Sequence, residues 1–599
     1  MDLKEYKKKI ANLSVNERKL RDLYLRDMAL GKVQGPPTGY ASIDKPWLKY
    51  YSEEHIMADV PHMTAYDYLL ECNKDNMNLC AIDSVEGKYS YKELFDIIDD
   101  TAASLYAMGI EKGNQVMLML PPVSYESILF YGVDKVGAAF SEVPIQTTID
   151  DLINKINKLD MTMLFISDFL LTEESEKELY EKTALKNIVV IGNKEYEDER
   201  TISWDEFLSK GKDVVMPTIE RNPEDLLFIA STGGSTGEPK SVMLNDECFN
   251  AAIHQYLNSD LKYNVGDRWL RLWSLFSASA AVANNHLPLC AGMNIVIRPF
   301  PMDINDFDKI VYESKTEHLM LIPQLLDVLE KSDLLKNENL SYIKTVGCGG
   351  LAITNSFEER VTNFFEKHKI DSFIGYGWGC TESFTLGTIR SSRDNDKVGY
   401  VGAPHVNTIV AIFNPETCEE VKYGEEGEIC VNSTPFMMGY YGDEELTNNV
   451  LKIHSDGTKW LHTGDLGVMN KDGLLSVKGR MTRTIFVYPT AKVYPTAMEN
   501  IITKIPGVVD AIVGEVEDKE HDGFGLPVCF IIPDEKVSQE ELNNNINMAC
   551  EMYFADYARP KEIYYMDEFP LTKVGKKDVR LLEEQLKNNV VLTKVKKPN

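Results

Sequence analysis

Residues 231–240, STGGSTGEPK, place three glycines, four hydroxyl side chains and a lysine in ten positions, directly after the apolar run DLLFIA. Glycines let backbone N–H groups approach oxygens, hydroxyls donate, and lysine supplies charge, which is the chemistry of holding a phosphate. A nucleotide P-loop carries glycine immediately before its lysine. Here Pro239, which has no N–H, precedes Lys240, and this argues against a P-loop kinase or GTPase-like switch. A flexible surface loop is the other reading of such a cluster.

Further along, WGCTES (378–383) sets Trp378, a glycine, Thr381 and Glu382 within five residues. Such a set can stack a base, bond a phosphate and hold Mg²⁺ by carboxylate; a packed tryptophan beside a helix start is the alternative. HTGDLG offers Asp465 on a turn as an acceptor for a ribose diol, with Arg480 downstream; a turn-capping aspartate and a surface salt bridge are the bland readings. GCGGLA (347–352) reads as a tight turn at a strand end. Lys576 lies near the C-terminus, where lysines are generally solvated, but Gly575 before it frees the loop to enter a cleft.

These residues need a scaffold. A chain of 599 residues exceeds what one hydrophobic core usually serves. Hydrophobic residues at 44% and charged residues at 26% are ordinary for a globular enzyme. The net charge of −30 disfavours nucleic acid as a general partner. The charged, helical-looking N-terminus suggests no signal peptide, no apolar stretch reaches spanning length, and ten cysteines without a CxxC pair fit a reducing cytoplasm.

Residues 1–60 read as a helical, then turn-rich extension, a passive arm leaning on the first domain. From about residue 64, YSYKELFDIIDDTAASLYAMGI and SYESILFYGVDKVGAAF have helical periodicity. They alternate with the apolar strands QVMLMLPP, MLFIS, NIVVIG, LLFIAS, NIVIRP and LMLIP. The expected fold is α/β: a large domain (61–480) of parallel-type sheets with flanking helices, carrying a small β-rich subdomain after about residue 400. A small, mobile α+β domain (481–599) follows.

STGGSTGEPKSVML resembles the phosphate loop of the adenylate-forming superfamily: acyl-CoA synthetases, nonribosomal peptide adenylation domains and firefly luciferase. GCGGLA, WGCTES, GEEGEICV, LHTGDLG, GLLSVKGR and PLTKVGKKDVR then follow in that superfamily's order, so the likeness covers residues 64–585. It implies that Ser231, Thr232, Gly233, Gly234, Ser235, Thr236, Gly237 and Lys240 hold the phosphates of ATP. Gly349 and Gly350 would wall the adenine, Trp378 face it, Thr381 meet the α-phosphate, Glu382 bind Mg²⁺, and Asp465 take the ribose with Arg480 beside it. Lys576, rather than its neighbour Lys577, would bridge the substrate carboxylate and the α-phosphate, by electrostatic stabilisation of the displacement. A hinge after the Gly-Arg pair, at Thr482, would turn the C-terminal domain between two half-reactions.

The implied reaction is formation of acyl-AMP with release of pyrophosphate, then transfer to a pantetheine thiol, of CoA or of a carrier protein. Thr482 stands where the family commonly has aspartate or lysine, and TIFVYPTAKVYPTAMEN lacks the glycine, near residue 490, usually presented to the pantetheine arm. Amino-acid-activating members read Phe-Asp-x-Ser at the acid pocket, where this chain has Phe276, Ser277, Ala278 and Ser279. A neutral serine does not balance a buried ammonium. With Phe276, Ser277 and Gly347 around the acid, the substrate expected is a fatty, aryl or related organic acid. The alternatives are a stand-alone adenylation enzyme of nonribosomal peptide type, an aminoacyl-tRNA synthetase, whose HIGH and KMSKS strings are absent, and a nonenzymatic nucleotide sensor, which would be expected to have lost Lys576 or Glu382.

Overall fold

The computed structural model describes residues 3–588 apart from 36, 195, 233–239, 301–302, 350–352, 354, 385–386, 434–435, 489–490, 522, 535 and 573–576. Two large sheets form its centre. The first has eight strands, with the parallel series Leu226–Ser231, Ala139–Glu142, Gln115–Met119, Met163–Ser167, Asn187–Ile191 and Thr201–Ser203, and antiparallel Ser241–Asn245 and Gly439–Tyr440 at one edge. The second has nine strands, parallel through Ile374–Trp378, Thr345–Cys348, His318–Leu321, Arg268–Arg271, Asn294–Ile297 and Cys80–Asp83. Strands covered on both faces bury nearly every side chain, which is why Gln115–Met119 and Met163–Ser167 read as unbroken apolar runs.

The helix Tyr91–Ala107 begins at a capping box of Ser90 and Glu93. The second helical stretch ends earlier than its periodicity suggests. The helix is Ser124–Lys135, and Gly137, at φ +72°, turns the chain into the strand Ala139–Glu142.

An antiparallel five-stranded sheet of Thr408–Phe413, Glu426–Ser433, Leu451–Ile453, Lys459–Met469 and Leu475–Arg480 forms the β-rich subdomain. The C-terminal unit packs Val508–Glu517, Gly525–Pro533 and Ile563–Tyr565 with the helices Pro495–Ile502, Gln539–Tyr553 and Val579–Lys587 around its own core.

The N-terminal arm is not a passive surface element. Trp47 is 0% exposed and lies so close to Gly473 that a Cβ there would meet its backbone N at 2.7 Å. Tyr51 donates to the Pro404 carbonyl at 2.9 Å, Lys49 pairs with Asp472 at 2.7 Å, and Glu420 accepts from the Ser42 N–H at 2.9 Å and pairs with Lys7. The arm straps the β-rich subdomain with apolar burial as well as charge. No described helix is long and apolar enough to cross a membrane, and all ten cysteines are free thiols.

Candidate active site

A cavity of about 1210 Å³ opens where the two large sheets, the β-rich subdomain and the 480–482 segment converge. Ser231, Thr232, Lys240, Gly349, Thr381, Glu382, Arg480 and Thr482 line it together with Phe276, Ser277 and Gly347. Residues from chain positions 250 apart therefore share one chamber. Gly233, Gly234, Ser235, Thr236, Gly237, Gly350 and Lys576 lie outside the described residues. Lys577 is described, and its ammonium is committed to Asp510 at 2.5 Å.

The ends of the glycine loop are pinned. Ser231 pairs with Ser241 across the hairpin, the Thr232 N–H donates to the Lys240 carbonyl at 3.0 Å, and the Lys240 N–H donates to Thr232 Oγ1 at 3.2 Å. The Lys240 ammonium stands 5.1 Å from the ring centroid of Tyr440, whose hydroxyl donates to Glu382 Oε1 at 2.8 Å. Burial, reinforced by the Glu382 charge, pushes the Tyr440 hydroxyl up, so it stays a donor. Tyr440 thus ties the lysine of one motif to the glutamate of another, a link no local pattern revealed.

Trp378 ends its strand behind the cavity wall and does not line the chamber. Only 8% exposed, it packs where Gly387 leaves room for the ring and donates from Nε1 to Asp465 Oδ2 at 2.9 Å. Asp465 is not on a free turn either. It sits inside the long strand Lys459–Met469, opposite Arg480, whose Nε lies 3.0 Å from Oδ1. The turn-like sequence is absorbed by Gly464 at φ +72°, a conformation that favours glycine, with a register shift just beyond. Arg480 also donates to the Thr463 carbonyl at 2.8 Å.

Glu428, Cys430 and His462 bring ligand-type atoms within 4.8 Å of one another. Hydrogen bonding accounts for them: Glu428 Oε2 meets His462 Nδ1 at 2.7 Å, Oε1 accepts the Gly464 N–H at 3.0 Å, and His454 and His462 join through Nε2 at 2.9 Å. Burial opposes the charge on Glu428, yet the His462 ring and the Gly464 N–H hold its carboxyl below the usual value. The cluster anchors the chain next to Asp465.

Beyond the glycine loop, the cavity runs along two adjacent strands. It is lined from Gly349 back to Lys344 on one, and by residues from Gly379 back to Asp371 on the next. At about 3.3 Å per residue, the first stretch alone is about 17 Å long. Gly347 and Gly375 face each other in register, and Met320 is the next residue across. A Cβ on Gly375 would meet nothing closer than the Val346 carbonyl at 3.4 Å, so bare backbone forms the floor there, whereas at Gly347 the Met320 side chain fills the place of a Cβ, with Sδ at 2.6 Å.

Phe276, Ser277, Ala278, Ala280 and Ala283 line the same cavity. Ser277 caps the short helix Ala278–Ala281, accepting the Ala280 N–H at 3.2 Å. The loop before it is fixed by a buried pair, Arg271 and Glu126, with Glu126 Oε1 accepting the Leu275 N–H at 3.1 Å and Arg271 Nε donating to the Trp273 carbonyl at 3.1 Å.

The chain leaves the chamber through Met481–Arg483, a short 3₁₀ turn. Arg480 is tied to Asp465 on one side, and Arg483 to Glu499 at 2.8 Å and the Val513 carbonyl at 2.8 Å on the other, with Thr482 exposed between them. Gly479, at φ +149°, lets Thr496 come close to the strand, and Tyr494 donates to Glu426 Oε1 at 2.5 Å.

Two parallel-type sheets meeting near the pinned ends of a hydroxyl- and glycine-rich segment, a β-rich subdomain carrying an Asp–Arg pair, and a small C-terminal unit on a short connection define the adenylate-forming class of ligase. The chain belongs to the AMP-binding enzyme family: that family's model matches residues 71–441, and the model of the AMP-binding enzyme C-terminal domain matches residues 497–576. Among curated proteins it is similar to 4-coumarate–CoA ligase 2 of Solanum tuberosum, 24% identical over 87% of this chain and 94% of that protein. It is also similar to a long-chain-fatty-acid–CoA ligase of Haemophilus influenzae, 26% identical over 80% and 86%. Among solved structures, ATP-bound MatB from Rhodopseudomonas palustris superposes with a TM-score of 0.76 at 20% identity, covering 88% of this chain and all of that one. The anthranilate CoA ligase AuaEII with anthranoyl-AMP gives 0.77 at 20% identity, covering 90% and all of that chain.

Proposed function

We propose that this enzyme is an AMP-forming acid:thiol ligase, activating a carboxylic acid without an α-ammonium group and passing the acyl group to a pantetheine thiol. One observation carries the reading. A single chamber holds Thr232, Lys240, Thr381 and Glu382 together with Phe276, Ser277 and Gly347, from which a channel runs along two adjacent strands toward Lys344 and Asp371.

ATP would lie with its phosphates between the ends of the glycine loop and Thr381, and its ribose toward Asp465. Trp378 would act from behind, by fixing Asp465. In the first half-reaction a carboxylate oxygen bonds to the α-phosphorus, the bond to the bridging oxygen breaks, and pyrophosphate leaves with the electron pair. Lys240 and the hydroxyls stabilise the charge that accumulates. Glu382 fits Mg²⁺, a hard cation that takes oxygen ligands: it lines the chamber and Tyr440 occupies only Oε1. Mg²⁺ there would neutralise phosphate charge; Tyr440 keeps the glutamate in place. Lys576 belongs to the same proposal as the cation supplied by the C-terminal unit, a choice over Lys577 that the pairing of Lys577 with Asp510 supports.

The second half-reaction would follow a turn of residues 481–599 about Thr482 against a body of residues 61–480, the arm 1–60 staying with that body. The neutral Ser277, which cannot balance an α-ammonium, supports a fatty or aryl acid over an amino acid. Relatives named as CoA ligases favour CoA over a carrier protein as acceptor. The test is single-turnover decay of preformed acyl-AMP with CoA, with a holo carrier protein and with neither. Acceleration by CoA supports the thioester half; decay that no thiol accelerates removes it and leaves an enzyme that stops at the adenylate.

A further inference from the structure

Lys155 lies on the helix Ile149–Lys158, half-buried, and its ammonium donates to the hydroxyl of Ser231, the first residue of the glycine loop. No carboxylate stands within ion-pair distance of it among the described residues, although the chain has 93 acidic residues against 63 basic ones. Asp160, two residues past the helix, is engaged by the Tyr441 hydroxyl at 3.1 Å. Desolvation, with Lys158 adding repulsion, lowers the Lys155 ammonium to about 8. A cation held out of water against a neutral hydroxyl is under-compensated, and an anion arriving beside it would relieve that cost.

The same holds at the other end of the loop. Lys240 faces the Tyr440 ring rather than a carboxylate. Ser231, Thr232 and Lys240 line the nucleotide end of the chamber, and Lys155, not itself a lining residue, meets that end through the Ser231 hydroxyl, so two lysines with no acidic partner among the described residues stand at the two ends of the loop, in a protein of net charge −30.

We infer that Lys155, acting with Ser231, is a binding residue for the pyrophosphate portion of ATP and for the pyrophosphate that leaves. This rests on the reading of the chamber as an ATP site. When the bond between the α-phosphorus and the bridging oxygen breaks, its electron pair stays on pyrophosphate, and the ammonium and hydroxyl meet that added charge at the leaving group. AMP and acyl-AMP lack this portion, so the residue discriminates between ligands that carry the β- and γ-phosphates and those that do not.

The test is calorimetric titration of the whole protein, without acid, using magnesium pyrophosphate, MgATP and AMP as separate probes, on the parent, Lys155→Met, Lys155→Gln and Lys155→Arg. Loss of one charge-assisted contact should weaken pyrophosphate and ATP about tenfold or more in Lys155→Met and leave AMP within about twofold, with Lys155→Arg recovering most of the loss. In turnover the KM for MgATP should rise, while the KM for the acid and the thiol-dependent decay of acyl-AMP stay near the parent's. If Lys155→Met fails to fold, Lys155→Gln carries the same comparison. Pyrophosphate binding equal to the parent's, or an equal loss for AMP, overturns the assignment. An enzyme that activates no acid, but shows the pyrophosphate-over-AMP contrast, sinks the ligase reading and keeps this one.

Discussion

The indole Nε1 of Trp378 and Oδ2 of Asp465 are 2.9 Å apart, joining the end of a parallel strand in one sheet to the interior of an antiparallel strand in another. With Arg480 on Oδ1, the carboxylate is positioned by two sheets at once. Asp465→Ala should raise the KM for ATP by about tenfold or more, the value of a hydrogen bond to a charged group. Trp378→Phe, which keeps a ring but loses the donor, should raise it less. Steady-state kinetics with ATP varied decides: equal, negligible effects would separate this pair from the nucleotide.

Thr482 lies between arginines held by opposite sides, Arg480 by Asp465 and Arg483 by Glu499. Proline there fixes φ and removes the N–H, stiffening an exposed point of the connection. Thr482→Pro should leave the first half-reaction within a few-fold of the parent and slow thiol-dependent consumption of acyl-AMP at least about tenfold. Both half-reactions falling together would place the hinge elsewhere.

Gly375 presents bare backbone to the channel, and a side chain there meets only ordinary contacts. Gly375→Leu should therefore shorten the usable channel. The ratio of kcat/KM for hexadecanoate to that for butanoate should drop at least about tenfold, in keeping with what a few misplaced methylenes cost. An unchanged ratio would mean the acid does not lie along this strand.

Six strand stretches were legible because parallel strands covered on both faces are continuous apolar runs. The β-rich subdomain was legible because glycine and acidic turns bound its strands. Asp465 was misplaced because a single glycine at positive φ lets a turn-like sequence continue as a strand. Phe276, Ser277 and Gly347 do share a chamber with Thr381 and Glu382. Tyr440, Lys155 and Gly375 act through partners 58, 76 and 28 positions away, and no short window of sequence carries that information. The N-terminal arm looked polar because the residues that seal it, Trp47, Leu48 and Tyr51, are few and clustered.

His405 is fully buried, neither ring nitrogen has a hydrogen-bond partner among the described residues, and desolvation lowers it from 6.5 to about 3. Its folded value is depressed, so the unfolded chain binds the extra proton as pH falls below 6.5, and stability is lost from there down toward pH 3. His405→Leu should remove that loss and stabilise the protein by about 2 kcal/mol more at pH 5 than at pH 8. Urea unfolding at the two pH values checks it; the same increment at both would mean that the ring titrates in the folded protein as it does in the unfolded chain.

In the proposed reaction one chamber joins an ATP site to the acid pocket at Ser277. The most direct test of that reaction is exchange of labelled pyrophosphate into ATP, with Mg²⁺, across a panel of fatty, aryl and α-amino acids. Exchange should depend on fatty or aryl acids, be abolished by chelating Mg²⁺, and fall at least about a hundredfold in Lys576→Ala. Efficient exchange with common α-amino acids and none with fatty or aryl acids would contradict the reading of the Ser277 pocket, and exchange with no acid at all would contradict the proposed reaction itself.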